Sequence, residues 1–263
     1  MPGAAQLAAA ALTALAISGV AWRVRALSRS GAAAAAGVGF LIFGFGGGPG
    51  AAALLLFFVS SSALSRLGKR RKASLDYEKG GEQRDAGQVL ANGGVAALCA
   101  LLIPFLPEAP WLPAAMFGAI AAANADTWAT EIGSLAAHPP RLITTLKSAP
   151  VGASGAVSLP GTVAALGGAL LIGAVALFYH FGWQGVLTAT LGGFAGALFD
   201  SFLGAAVQVQ YRCAVCGKLT ERHRHHDQPT HWARGVRWMH NDAVNVLATL
   251  CGAIVTASLS LQL

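Results

Sequence analysis

Long apolar stretches separated by short polar ones run the whole length of the chain. A helix needs about 20 apolar residues to cross the hydrocarbon core of a bilayer. The pattern predicts such helices over 4–22, 31–47, 49–67, 86–104, 112–135, 158–179, 183–210 and 241–262. The second and third meet at residues 46–50 (GGGPG), which suit either a tight turn or a break inside one long bent element. The expected fold class is all-α, a polytopic membrane helix bundle of about eight spans, with residues 1–263 as a single transmembrane domain.

Composition strengthens this reading. The chain is 55% hydrophobic and only 11% charged, whereas a soluble domain carries about 25% charged residues. Its 33 glycines suit the close helix contacts of membrane bundles. The net charge of +7 matters mainly through its placement. All but one of the 18 Lys and Arg fall in 23–30, 68–85, 136–157 and 211–240, and Arg66 ends a helix on the same side. The opposite connections, near Gly48, 105–111 and 180–182, carry none. Basic loops stay on the cytoplasmic face, so the N-terminus is expected outside, in a multi-pass protein of the cytoplasmic membrane. Merging the second and third helices would put basic loops on both faces. The first helix is not read as a cleaved signal peptide, because Arg23, Arg25 and Arg29 follow it and no basic residue precedes it. The positive charge is thus topology, and no nucleic-acid partner is expected.

Acidic residues are the informative minority. Most of the 11 lie in loops, but Asp126, Glu131, Asp200 and Asp242 lie within helices or at their inner ends. A carboxylate at the centre of a membrane helix costs about 2.5–3.5 kcal/mol, so it faces a cavity and commonly serves function. At the helix start, Asp242 equally suits the helix dipole. Residues 85–91 resemble 242–248, and 126–128 resemble 200–202, as a duplication would leave them. Amides cluster nearby: Gln88 and Asn92 share a helix face, as do Asn241 and Asn245, while Asn124 precedes Asp126. An all-oxygen donor set of this kind suits magnesium, which keeps waters and phosphates in its shell.

The loop 141–158 leads into a helix and offers Lys147 with the small residues Gly152, Ser154 and Gly155. Small residues before a helix start let backbone amides reach an anion. Taken alone the stretch also reads as an ordinary loop. No G-x-x-x-x-G-K-[ST] sequence occurs, which excludes a soluble-type P-loop kinase. The loop 211–240 carries Cys213 and Cys216 at Cys-x-x-Cys spacing, followed by His223, His225, His226 and His231. That is the spacing of a structural zinc site on a face where disulfides are disfavoured. Cys99 and Cys251 lie in spans as small packing residues.

Residues 84–94 (RDAGQVLANGG), 124–133 (NADTWATEIG), the 144–158 loop and 241–245 (NDAVN) together resemble the phytyl-phosphate kinase family, first catalogued as membrane proteins of unknown function. Residues 57–61 (FFVSS), Lys79-Gly80-Gly81 and Asp200-Ser201 also fit. The resemblance implies phosphorylation of an isoprenoid alcohol monophosphate to its diphosphate, with CTP or another nucleoside triphosphate and magnesium, at a site facing the cytoplasm. It also implies that His225 and His226 complete the zinc site, where the family has a His-Cys pair. One departure stands out: Leu146 occupies the position of a glycine expected before the lysine.

Combining the residues with the resemblance assigns Asp126, Glu131, Asp200 and Asp242 as magnesium ligands. Lys147 and Arg84 become phosphate clamps. Gln88, Asn92, Asn124, Asn241 and Asn245 orient phosphates or metal-bound waters, with Gly152, Ser154 and Gly155 in the nucleotide grip. Two rivals use similar groups. A transporter or flippase of a lipid phosphate would need a polar outer vestibule, which the Ala, Leu, Val and Gly of the outer halves do not offer. A membrane cytidylyltransferase would release pyrophosphate instead of a nucleoside diphosphate.

Overall fold

The computed structural model describes residues 1–67, 83–178 and 182–262. The basic stretch 68–82, with Lys79-Gly80-Gly81 and the acids Asp76, Glu78 and Glu82, lies outside the described residues. The helices are α1 (Ala4–Arg23), α2 (Arg29–Phe45), α3 (Gly47–Arg66), α4 (Ala86–Leu102), α5 (Trp111–Gly133), α6 (Leu159–Val175), α7 (Gly182–Ala206) and α8 (Asn241–Ser260). By length and composition, α1, α3, α6 with its 3₁₀ extension, α7 and α8 can cross a membrane. The apolar α2 and α4 have 17 residues each. The glycine-rich join is a tight turn between two helices, since Gly47 takes φ +68° immediately after α2 ends.

Two polar loops depart from the all-α expectation. Strand β1 (Arg141–Leu142) pairs antiparallel with β2 (Ala156–Val157). The 211–240 region holds β3 (Gln210–Cys213), β4 (Leu219–Thr220), β5 (Arg224–His225) and β6 (Gln228–Arg234), in the order β4-β3-β6-β5. Tyr211, Thr220, Thr230 and Trp232 are good strand formers. The β5–β6 turn is His226-Asp227, both at positive φ, as a two-residue hairpin of the primed type requires. Helix α7 consequently stops at Ala206, four residues short of the expected end. Val207 and Val209 instead bond to Val236 and Met239, which seats the sheet against the bundle.

Helix α5 is the axis of the molecule. Almost every residue from 112 to 125 is buried, and α3, α4, α6, α7 and α8 all pack on it. Its closest contacts are made by glycines. A Cβ on Gly118 would collide with Thr256 and the Gly252 carbonyl, and one on Gly192 would meet the same two groups. Thr256 Oγ1 donates across to the Thr188 carbonyl at 3.3 Å. Where lipid offers no hydrophobic drive between helices, such backbone proximity supplies the dispersion contacts that hold them.

These contacts make a testable distinction among glycines. A Cβ on Gly252 would lie 2.6 Å from the Gly118 carbonyl oxygen, whereas one on Gly94 meets nothing within 4 Å. Gly252→Val is expected to lower stability by about 1–3 kcal/mol or more through overpacking. Gly94→Ala should be neutral or stabilising by up to about 1 kcal/mol through helix propensity. Thermal unfolding of both purified variants in one detergent compares them directly.

Candidate functional site

A cavity of about 720 Å³ opens between α1–α3 on one side and α4, α5 and α8 on the other. Its polar end is built where helix termini converge. Asp85 caps α4 through the Gln88 N–H at 3.0 Å, and Gln88 Oε1 accepts the Asp85 N–H at 3.3 Å, a complete capping box. The residue before this cap, Arg84, is fixed by its backbone. Its carbonyl accepts the Ser28 N–H at 3.0 Å, and its own N–H donates to the Ala26 carbonyl at 3.3 Å. The Arg84 guanidinium sits 5.9 Å over the Phe57 ring. Burial draws its pKa below the ordinary value, while the charge of Glu131 opposes that shift. An arginine stays protonated under these conditions, so Arg84 is a permanent cation at the polar end of the cavity. Glu131 accepts from Ser65 at 2.6 Å.

A smaller cavity of about 90 Å³ lies on the other side of α5. Residues 151–158 form one wall, and Asp200 and Ser201 of α7 another. Gly152 and Gly155 take φ +84° and +77°, a region that favours glycine. Gly155 is required twice over, because a Cβ there would collide with the Ala205 backbone. Ser158 caps α6 by accepting the Gly161 N–H at 3.3 Å, so the amino end of α6 faces this cavity. Ser154, nearly buried, donates to Glu221 Oε1 at 2.5 Å. Asp126 and Thr130, one turn apart on α5, line both cavities and form the wall between them.

The NADTWATE stretch therefore splits by helical face. Asn124 and Trp128 point into packing. The Asn124 amide donates to the Gly168 carbonyl at 2.7 Å, and its oxygen accepts from Ser60 at 3.1 Å and Ser61 at 3.4 Å. With both amide ends consumed and no exposure, Asn124 ties α5 to α3 and α6 rather than meeting a substrate. Asp126, Thr127, Thr130 and Glu131 face the cavities.

Other expected site residues separate similarly. Glu131, Asp242, Asn241, Asn245, Asn92 and Gln88 line the large cavity, and Asp200, Gly152, Ser154 and Gly155 line the small one. The four acids thus do not form one metal cluster: Asp200 and Asp242 face different cavities, with the Asp126 wall between. Gln88 directs its oxygen to the α4 cap, where it accepts the Asp85 N–H. Asp242 lies against Gly87, where a larger residue would strike its carboxylate. Lys147 is exposed and lines neither cavity. Its neighbour Leu146 has φ +55°, which accounts for the glycine expected there: the turn needs left-handed backbone, and leucine adopts it at a cost.

Sequence reasoning missed Glu221 and Arg222, which line the large cavity from the 211–240 sheet. Their only signal was a charged pair directly after the strand-forming Leu219-Thr220. In the same sheet, Cys213, Cys216 and His225 bring their ligand atoms within 4.8 Å of one another. Cys216 Sγ lies 3.6 Å from His225 Nδ1. The backbone N–H of Cys216, with help from His225 and the Val215 N–H, draws the Cys213 thiol down to about 7 against the effect of burial. His226, assigned as the fourth ligand, is outside this group: at the first turn position after β5 its ring packs against that of His225, centroids 4.2 Å apart, and brings no nitrogen into the ligand set.

The family described as Integral membrane protein DUF92 matches residues 12–253. Protein PGR of Arabidopsis thaliana is 31% identical over 242 residues, covering 80% of this chain and 81% of that protein. An uncharacterized membrane protein of Methanocaldococcus jannaschii is 32% identical over 231 residues, covering 88% and 84%. One from Synechocystis is 31% identical over 209 residues, covering 77% and 70%. No solved structure matches. The match spans the helices and both cavities, and the chain belongs to the DUF92 family of integral membrane proteins, the family its motifs resemble.

Proposed function

We propose that this chain is a membrane-embedded kinase that transfers the γ-phosphoryl group of a nucleoside triphosphate, CTP favoured, to an isoprenoid alcohol monophosphate of the phytyl or geranylgeranyl type. One observation carries the reading: Asp126 and Thr130 form a wall common to a cation-bearing, partly apolar cavity and a small glycine-walled one. A lipid phosphate at Arg84 and Arg222 would face, across that wall, a triphosphate end at Ser154 and the amino end of α6. An oxygen of the lipid phosphate attacks the γ-phosphorus, the bond to the bridging oxygen breaks, and a nucleoside diphosphate leaves. A monophosphate oxygen is already ionised near neutral pH, so the chain need not supply a general base. Asp126 and Asp200 offer the hard oxygen donors that magnesium takes. Magnesium, when bound, supplies charge neutralisation during the transfer. Glu131 and Phe57 orient Arg84, and Glu221 orients Ser154.

The topology belongs to this proposal: eight spans, the N-terminus outside, and both cavities toward the cytoplasm, where nucleotide is available. An epitope tag in the 211–240 loop should be reached only from the cytoplasmic side, and one at residue 108 only from outside. Protease access to the 211–240 loop from outside intact cells would refute the orientation.

The catalytic assignment is tested by Asp126→Asn and Asp200→Asn. Each keeps side-chain size and removes the charge, so turnover of geranylgeranyl phosphate should fall by about 100-fold or more. Excess magnesium should restore part of it. Wild-type rates from both well-folded variants would overturn the assignment, and pyrophosphate in place of nucleoside diphosphate would mark a cytidylyltransferase.

The 211–240 sheet fits a structural zinc held by Cys213, Cys216 and His225, with thiolate character already favoured at Cys213. Freshly purified protein should contain about one equivalent of zinc, and replacing Cys213 and Cys216 with serine should remove it. Less than about a tenth of an equivalent in the unmodified protein would refute the site. His226→Ala should keep the metal, since His226 lies outside the ligand group.

A further inference from the structure

The large cavity joins two chemistries end to end. Along α3 its lining runs from Ser65 to Leu54, about 16 Å at 1.5 Å per residue. Over that distance the walls change from charged to apolar. Ile17 of α1, Phe43 of α2, and Leu54 and Phe58 of α3 surround the far arm. Helix α1 packs chiefly on α2, and α3 packs on α2 and α5. The arm thus lies between two helices that do not close on each other.

We propose that this arm is the binding site for the isoprenoid tail of the phosphate substrate. The tail enters sideways from the lipid between α1 and α3, and Ile17 and Leu54 set the chain length accepted. The inference rests on the reading that the charged end holds a lipid phosphate. Charge is consistent with it: Arg25, Arg66, Arg84 and Arg222 line the polar end beside the carboxylates described above, and only the far arm is apolar. A tail arriving from lipid gains little from the hydrophobic effect, because it leaves one apolar medium for another. The arm therefore selects by fit. A short chain leaves part of the wall without contacts, and a chain longer than the arm meets its end. Val38 and Gly39 also line the arm, but Val38 packs against Gly93 and Gly39 against Ala14, so changes there would disturb the bundle. Ile17 and Leu54 are half-buried on separate helices, and because Leu54 also packs against the core its variants are first matched to wild type in thermal unfolding.

The full chain in lipid nanodiscs is assayed with isopentenyl, geranyl, farnesyl and geranylgeranyl monophosphates. Wild type should favour the long chains. Ile17→Trp and Leu54→Trp should each lower kcat/KM for geranylgeranyl phosphate about tenfold or more, with geranyl phosphate changed by less than about twofold. Leu54→Ala, which cannot overpack, should move the preference toward longer chains. Equal losses at every chain length, or an unchanged length profile, would overturn the tail site while leaving the kinase reading intact. Absence of turnover with every substrate would instead refute the kinase reading. The tail site is then judged by geranylgeranyl phosphate carrying a diazirine at its tail end. Labelling of α1 and α3 that unlabelled geranylgeranyl phosphate competes away upholds it, and labelling elsewhere or without competition overturns it.

Discussion

The close approach of α5, α7 and α8 is the constraint from which the rest of the molecule follows. Gly118, Gly192 and Gly252 bring three backbones together around Thr256, at distances that any side chain at these positions would prevent. Helices α5 and α7 continue side by side, with Gly193 against Ala121 and Gly196 against Ala122. Asp126 lies eight residues beyond Gly118, and Asp200 eight residues beyond Gly192, about 12 Å along each helix. Equal offsets from one contact bring the two acids to one depth on neighbouring helices. Widening that contact would change the spacing of the carboxylates before it changed anything else, because a rigid helix carries the displacement along its length.

Depth alone does not make a site; the loops supply what the helices cannot. The 151–158 wall needs left-handed backbone at Gly152 and Gly155 and is held by the Ser154–Glu221 hydrogen bond. A hydrogen bond to a charged group contributes about 1.5–3 kcal/mol, enough to hold a short loop in one arrangement. Glu221 follows directly on β4 of the sheet that also brings Cys213, Cys216 and His225 together. Order in that sheet therefore passes to the 151–158 loop through one carboxylate, while Arg222 extends the same sheet into the large cavity.

The helices were legible in the sequence because membrane thickness fixes apolar run length, and the one-sided Lys and Arg separated α2 from α3. The acids were legible because a carboxylate in a membrane helix demands a reason. The amides were less so. Asn124 and Gln88 are polar for packing and capping, and sequence spacing does not show where an amide's partners come from. Their partners are Gly168, Ser60, Ser61 and Asp85, most of them far along the chain. Lys147 lies outside both cavities because the left-handed turn at Leu146 leaves it exposed, which charge beside a glycine-rich loop does not reveal. Glu221 was invisible for the opposite reason: a loop charge gains its meaning only when the sheet folds back over the bundle.

The division of labour along residues 124–131 shows why one short motif can serve two ends. Asn124 and Trp128, four apart, face α3 and α6. Asp126 and Thr130, also four apart, face the two cavities. A helix face repeats every three to four residues, so the two pairs are interleaved in sequence yet point different ways. The packing pair fixes the rotation of α5 about its axis. That rotation decides whether Asp126 stands on the wall between the cavities or turns into the buried neighbours around it. A carboxylate turned inward would have to give up its charge or find a partner. The hydrogen bonds of Asn124 are thus the means by which Asp126 keeps its cavity-facing position inside a helix bundle.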